Sequence, residues 1–395
     1  MDIPRPNSAV YTRASVATLV TFFLAGFTLS SFLSRLPTIR DAFELSPAAI
    51  GNILLIGSLG SLIALPASGA VAGKIGPRIT IWAGFAAWVL GMSFIVATYG
   101  QHAPTLLATG LFIAQLGTST ANTTMNIEGG YIEVLARKAI MPWYHAAFSI
   151  GTVVGAGVGA VMIAKSVSVP FHLTLIIAFT AVAILVAGLF YVPQPIIAQI
   201  SYDSDAGAAK RTKRAWGEKR TIMIGLMVLG TGLMEGAAND WLALAMVDGF
   251  DFAPAMGTAT FAFFLTVLTT ARLLTPRMQR RWAAAPMLRV FLVLAIVGLL
   301  ILALSPWAWL AIVGVIAWGI GASLGFPTGA SAVSHDPKMT AARMSVLSTV
   351  GYGAFLVGPP VIGYIANYTG YKLALGFIVL PVLMSLYLTR YLDEK

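Results

Sequence analysis

The chain has 395 residues, of which 58% are hydrophobic and 10% charged, with a net charge of +10 and a mean hydropathy of +0.84. Soluble domains carry about 25% charged and about 45–50% apolar residues, so too few charged side chains remain to cover a water-facing surface, which excludes a soluble enzyme and a nucleic-acid-binding protein. There is no cysteine, and the four histidines (His102, His145, His172, His335) show no i, i+3 or i, i+4 pair. Disulfides, thiolate chemistry and a helix-borne metal site are therefore not expected, nor is any cofactor.

In chain order, Met1 to Thr12 is polar, and the apolar run after it continues without a small-residue cleavage site, so it reads as an uncleaved first span. Windows of about 19 residues place spans at 14–36, 47–73, 79–99, 104–128, 142–164 and 172–192. The longest polar stretch follows, Pro193 to Arg220, with Asp203, Asp205, Lys210, Arg211, Lys213, Arg214, Lys219 and Arg220. Six more spans fall at 221–244, 254–275, 286–304, 306–333, 343–365 and 371–391. The expected fold is an all-α polytopic membrane protein of about twelve helices in two six-helix bundles, residues 1–192 and 221–395, joined by a basic linker at 193–220.

With the N-terminus in the cytoplasm, only Arg35, Arg40, Lys165 and Lys372 of the 25 basic residues fall outside. Such asymmetry predicts cytoplasmic N- and C-termini in a bacterial-type inner membrane, and it accounts for the basic charge without nucleic acid. The two halves repeat one another. The loop after span 2, Gly69 to Arg78, and the loop after span 8, Arg272 to Arg281, are both short and basic. Span 5 carries Gly151, Gly155, Gly157 and Gly159; its counterpart, span 11, carries Gly351, Gly353, Gly358, Pro359, Pro360 and Gly363. Small residues at this spacing allow close helix approach, either as plain packing or as a seam that slides during transport, and the prolines soften the helix.

These features resemble the major facilitator superfamily over essentially the whole chain. Within it, Arg35-Leu-Pro37-Thr-Ile39-Arg40 with Leu45-Ser46-Pro47, the Met125-Asn126 pair, Tyr144-His145-Ala-Ala-Phe148-Ser149 and Glu235-Gly236-Ala-Ala-Asn239-Asp240-Trp241 resemble the fucose-permease-like branch and inner-membrane permeases near it. The resemblance implies alternating access by two six-helix bundles. It also marks departures. Gly73 stands where the loop after span 2 usually has an acid, and Ile113 where drug antiporters usually carry an arginine in span 4. Leu33 and Asn122 stand where fucose permeases have acids, so the relatives' proton sites do not carry over.

Ionisable groups within spans are then the candidates. A carboxylate in mid-membrane costs at least about 2.5–3.5 kcal/mol on insertion scales. Glu235 lies deep in span 7, Asn239 is on the same face four residues on, and Asp240 and Trp241 are beside it. Glu235 and Asp240 are the candidate proton carriers; the alternative is a structural hydrogen bond at a helix broken near Gly236. Glu128, at the end of span 4, and His145, at the start of span 5, are expected to form a pH-sensitive inner gate or, alternatively, a plain structural pair that Arg137 can join. Asn122 and Asn126 make an i, i+4 polar stripe facing either substrate and water or another helix.

Sugar-like solutes stack C–H groups on aromatic rings while their hydroxyls need amide and carboxyl partners. Phe27, Trp241, Phe261, Phe326 and Tyr352 are the aromatic candidates, each with core packing or lipid contact as its alternative. Phosphate-binding loops of the Gly-x-x-x-x-Gly-Lys-Ser/Thr type are absent, so the energy source is an ion gradient or the solute's own. The sequence therefore predicts a monomeric secondary transporter of a small polar, sugar-like solute, coupled to protons, with efflux of amphipathic compounds as the alternative. A channel would need a symmetric pore or filter ring, and none is visible.

Overall fold

The computed structural model describes residues 8–136, 138, 140–194, 196, 197, 208–334, 336 and 339–393. The expected charges Arg5, Arg137, Asp203, Asp205, Lys338 and Lys395, and His335, lie outside them. The elements are α1 Ser8–Leu33, α2 Leu36–Ala42, α3 Pro47–Ile75, α4 Pro77–Thr98, α5 Pro104–Ala136, α6 Met141–Ala164, α7 Val169–Gly188, α8 Ala208–Trp216, α9 Lys219–Phe250, α10 Pro254–Met278, α11 Ala284–Leu304, α12 Ala308–Ala322, α13 Gly325–Val333, α14 Thr340–Thr369, α15 Tyr371–Gly376, α16 Val379–Leu388 and α17 Arg390–Asp393. Prolines sit in the first turns of α4, α6, α7 and α10, where a missing N–H removes no helical bond. Glu133 caps α6 by accepting from the N–H groups of Ile140 (2.6 Å) and Met141 (2.8 Å).

Eleven helical stretches of described residues are long and apolar enough to cross a membrane. The remaining long helix is α5, with 33 residues, among them several threonines, Asn122, Asn126 and Glu128. The protein is a multi-pass, all-α membrane protein. One sequence expectation needs correction. The helix break considered near Gly236 is not there, since α9 runs unbroken through it, and α14, packed along α9, continues through Pro359 and Pro360. The break falls instead between α12 and α13 at Ser323 and Leu324.

The chain forms two compact units, one of Met1–Leu45 with Ile53–Ser204 and the other of Ser46–Asn52 with Asp205–Lys395. In the first, α4 lies along α5, α1 along α6, and α7 against α4 and α1. In the second, α9 lies along α14, α11 along α12, and α16 against α9 and α11. This repeated pairing is what two similar halves produce.

The second unit also holds the basic helix α8. Its Ala215 is buried against Met339, Ala342 and Val346. Glu218, just after α8, accepts from Arg343 at 2.7 and 3.1 Å and from Thr221 at 2.8 Å. The Arg343 guanidinium holds the Glu218 carboxyl below the usual carboxylate range.

Candidate functional site

Glu235 lies about 24 Å along α9 from Lys219, at 1.5 Å per residue. Its carboxylate faces α10, where Arg272 Nη2 donates to Oε2 at 3.3 Å and to Oε1 at 3.5 Å. Arg272 Nε donates to the Ser323 carbonyl at 3.2 Å. That carbonyl is free to accept because the helix breaks there, between α12 and α13. The Glu235 and Arg272 side chains are 32% and 30% exposed, so the pair sits between the exposed and buried extremes. Loss of one partner costs more than the about 0–1 kcal/mol of a surface pair and less than the about 3–5 kcal/mol of a buried one.

One turn further on, Asn239 and Asp240 are half-buried. No described residue hydrogen-bonds the Asp240 carboxylate. Trp241 is fully buried, its ring 5.7 Å from that of Tyr371. On α14, Tyr352 and Phe355 are exposed with ring centroids 6.0 Å apart, and a Cβ at Gly236 would stand 3.5 Å from Phe355. The second unit thus brings an acid, a guanidinium and an aromatic ring to the middle of α9. Phe326, on α13, is also exposed, whereas Phe261 is buried with the core of α10.

In the first unit, Asn126 Nδ2 donates to the Asn122 carbonyl of its own helix at 2.7 Å, while Asn122 Oδ1 has no hydrogen-bond partner among the described residues. The stripe is therefore not consumed by bonds to a neighbouring helix. Glu128 is fully buried, and its Oε1 accepts from the Val192 N–H at 2.6 Å, holding the chain just after α7. His145 packs edge-on to Phe22, ring centroids 5.3 Å apart. Phe27 is buried, stacked on Phe23 and edge-on to Phe179.

Sequence reasoning missed Arg272 and Phe355. Arg272 falls inside the expected span 254–275, which is the available signal, but in the sequence it reads as one of the cytoplasmic orientation charges. Phe355 lies in span 11 and has no local mark; only the approach of α14 to Gly236 distinguishes it.

The family model described as Major Facilitator Superfamily matches residues 18–359. An uncharacterized MFS-type transporter of Yersinia pestis is 26% identical, over 93% of each chain. The crystal structure of the nucleoside transporter NupG superposes with a TM-score of 0.76 at 16% identity, covering 98% of this chain and 100% of that one. That of the E. coli fucose:proton symporter FucP gives 0.66 at 16% identity, with the same coverage. At such identities the two structures share the fold.

Proposed function

The chain belongs to the major facilitator superfamily and is a transporter, not an enzyme; from that premise we propose that it carries a small polar, sugar-like solute across a bacterial inner membrane by alternating access, coupled to protons. The observation that supports coupling most is the Glu235–Arg272 pair in mid-helix. A proton on Glu235 removes the charge that holds Arg272, so loading and release of that proton alternate two arrangements of α9 and α10. Asp240, without a bonding partner among the described residues, is the second carboxyl able to take a proton. In the first unit the amides of Asn122 and Asn126 are assigned to hydrogen-bond a hydroxylated solute, and in the second unit the amide of Asn239 and the rings of Tyr352 and Phe326 are assigned to bond and stack one. Phe27 and Trp241 act from the packed cores of the first and second units respectively, and Glu128, bonded to the Val192 N–H, and His145, packed on Phe22, are assigned to the inner gate as separate groups and not as a bonded pair. Hydroxylated substrates are also what the printed names of NupG and FucP indicate for those proteins.

A thermal-shift screen tests the substrate class. A sugar or nucleoside raises the melting temperature in a saturable way, as any ligand selective for the folded state must. Stabilisation by lipophilic cations alone would replace this reading with efflux of amphipathic compounds. Orientation is tested by labelling. Lys210→Cys reacts with an impermeant maleimide only from the cytoplasm and His102→Cys only from outside. Labelling of both from one side would contradict the proposed topology.

A further inference from the structure

Helix α8, in the second unit, carries Lys210, Arg211, Lys213 and Arg214 and no acid, and the transport reading does not use it. At about 100° per residue, Arg211 and Thr212 share the face of Ala215, whereas Lys210, Lys213 and Arg214 stand at i, i+3 and i+4 on the opposite side. Burial follows that division. Ala215 is 0% exposed against Met339, Ala342 and Val346, with Ile222 and Val350 packed around them. Arg211 and Thr212 are half-buried, while Lys210, Lys213 and Arg214 are exposed. Trp216, on the flank between the two faces, is 43% exposed.

The same packing sets the level of α8 along the unit. Met339, Ala342 and Val346 lie at the N-terminal end of α14, and Ile222 lies in the first turn of α9; both helices are long and apolar enough to cross a membrane. Helix α8 is therefore held beside the ends of two spans, where hydrocarbon gives way to headgroups. Neighbouring cations are engaged by the protein itself. Arg343 donates to Glu218 at 2.7 and 3.1 Å, and Arg220 donates to the carbonyls of Tyr391 (3.1 Å) and Ala332 (3.2 Å). The charge of Glu218 also reaches Arg214, but the Arg214 side chain stays on the outward face with Lys210 and Lys213. A row of outward cations with an exposed indole at this level matches a bilayer surface, because anionic headgroups attract the cations and tryptophan rests among headgroups.

We propose that the outer face of α8 docks on anionic phospholipid, with the phosphodiester headgroups on Lys210, Lys213 and Arg214 and the Trp216 ring among them. The contact ties α8, and through Ala215 the start of α14, to the membrane surface. This assignment depends neither on the solute transported nor on which side of the membrane α8 faces.

The test uses the purified full chain in detergent micelles at low salt, with phosphatidylglycerol or phosphatidylcholine added stepwise and melting followed. Phosphatidylglycerol raises the melting temperature saturably and beyond phosphatidylcholine at equal mole fraction, and added salt reduces the excess. One cation near an anionic surface strengthens binding about fivefold, so Lys213→Gln weakens the apparent affinity for phosphatidylglycerol about fivefold and Lys210→Gln/Lys213→Gln/Arg214→Gln at least about tenfold, with the phosphatidylcholine response unchanged. Lys210→Arg/Lys213→Arg/Arg214→Lys, which keeps every charge, keeps the wild-type response. Glutamine matches lysine and arginine in helix propensity, so folding of the neutralised variants is not at stake. Equal melting of the wild type in the two lipids would overturn the proposal, as would an undiminished phosphatidylglycerol response in the triple glutamine variant. Equal stabilisation by soluble glycerol 3-phosphate or polyglutamate would also overturn it, by assigning the face to a soluble acidic partner instead.

Discussion

Glu235→Gln abolishes solute accumulation driven by a pH gradient and leaves counterflow largely intact. The glutamine keeps the shape of the side chain and can still accept from Arg272 Nη2, which now lies 3.3 Å from Oε2, but it cannot take a proton. Counterflow exchanges labelled for unlabelled solute without net proton movement, so it needs binding and reorientation only. A gradient of about one pH unit supports about tenfold accumulation with one proton per solute, since 1.4 kcal/mol is a factor of ten. The variant should therefore fall from about tenfold to equality across the membrane. Arg272→Gln should also lose accumulation, because it leaves the Glu235 carboxylate without its cation at mid-helix, where insertion is costly. The double variant restores charge balance and should be more stable than Arg272→Gln alone while remaining uncoupled. Full gradient-driven uptake by Glu235→Gln would reduce the pair to a structural contact, and Asp240 would become the carboxyl to examine.

Gly151→Ala should disrupt the first unit, whereas Gly157→Ala, six residues on, should not. A Cβ at Gly151 would meet the Phe23 carbonyl oxygen of α1, and one at Gly155 the Phe27 carbonyl oxygen; one at Gly157 would meet nothing within 4 Å. The approach is reciprocal, since a Cβ at Gly26 would strike the Phe148 carbonyl oxygen of α6. Backbone cannot give way as a flexible side chain can. Overpacking of this kind costs about 1–3 kcal/mol or more, a large part of a marginal total of about 5–15 kcal/mol. Gly157→Ala gains up to about 1 kcal/mol of helix propensity instead. Size-exclusion profiles and melting curves of the purified variants check this, and equal behaviour of the two would refute the α1–α6 contact.

The spans were legible because hydrocarbon thickness imposes long apolar runs, and the glycines of α6 because close backbone approach has few other solutions. What escaped the sequence was pairing. Glu235 stood out as an acid within a span, yet its partner Arg272 looked like one more basic residue at a helix end. Glu128 was expected to meet His145, but its Oε1 bonds the backbone N–H of Val192, and a main-chain donor leaves no mark in the sequence. Pro359 and Pro360 suggested a softened helix. Helix α14 continues through both prolines and packs along α9, and the helix break at Ser323 frees the carbonyl that receives Arg272 Nε. Arg35 and Arg40 served equally as outside charges in the sequence. Arg40 bonds the neighbouring Asp41 at the surface, and Arg35 turns inward to His172 because α7 offers it an imidazole nitrogen.

Transport in proteoliposomes holding the purified wild-type chain tests proton-coupled alternating access most directly. Vesicles preloaded with the solute identified by thermal shift should take up labelled solute in saturable counterflow without any gradient, and empty vesicles should accumulate it above equilibrium only when a pH gradient is imposed, with a protonophore abolishing the accumulation. Counterflow that is unaccompanied by pH-driven accumulation would contradict proton coupling, and non-saturable flux without counterflow would contradict alternating access itself.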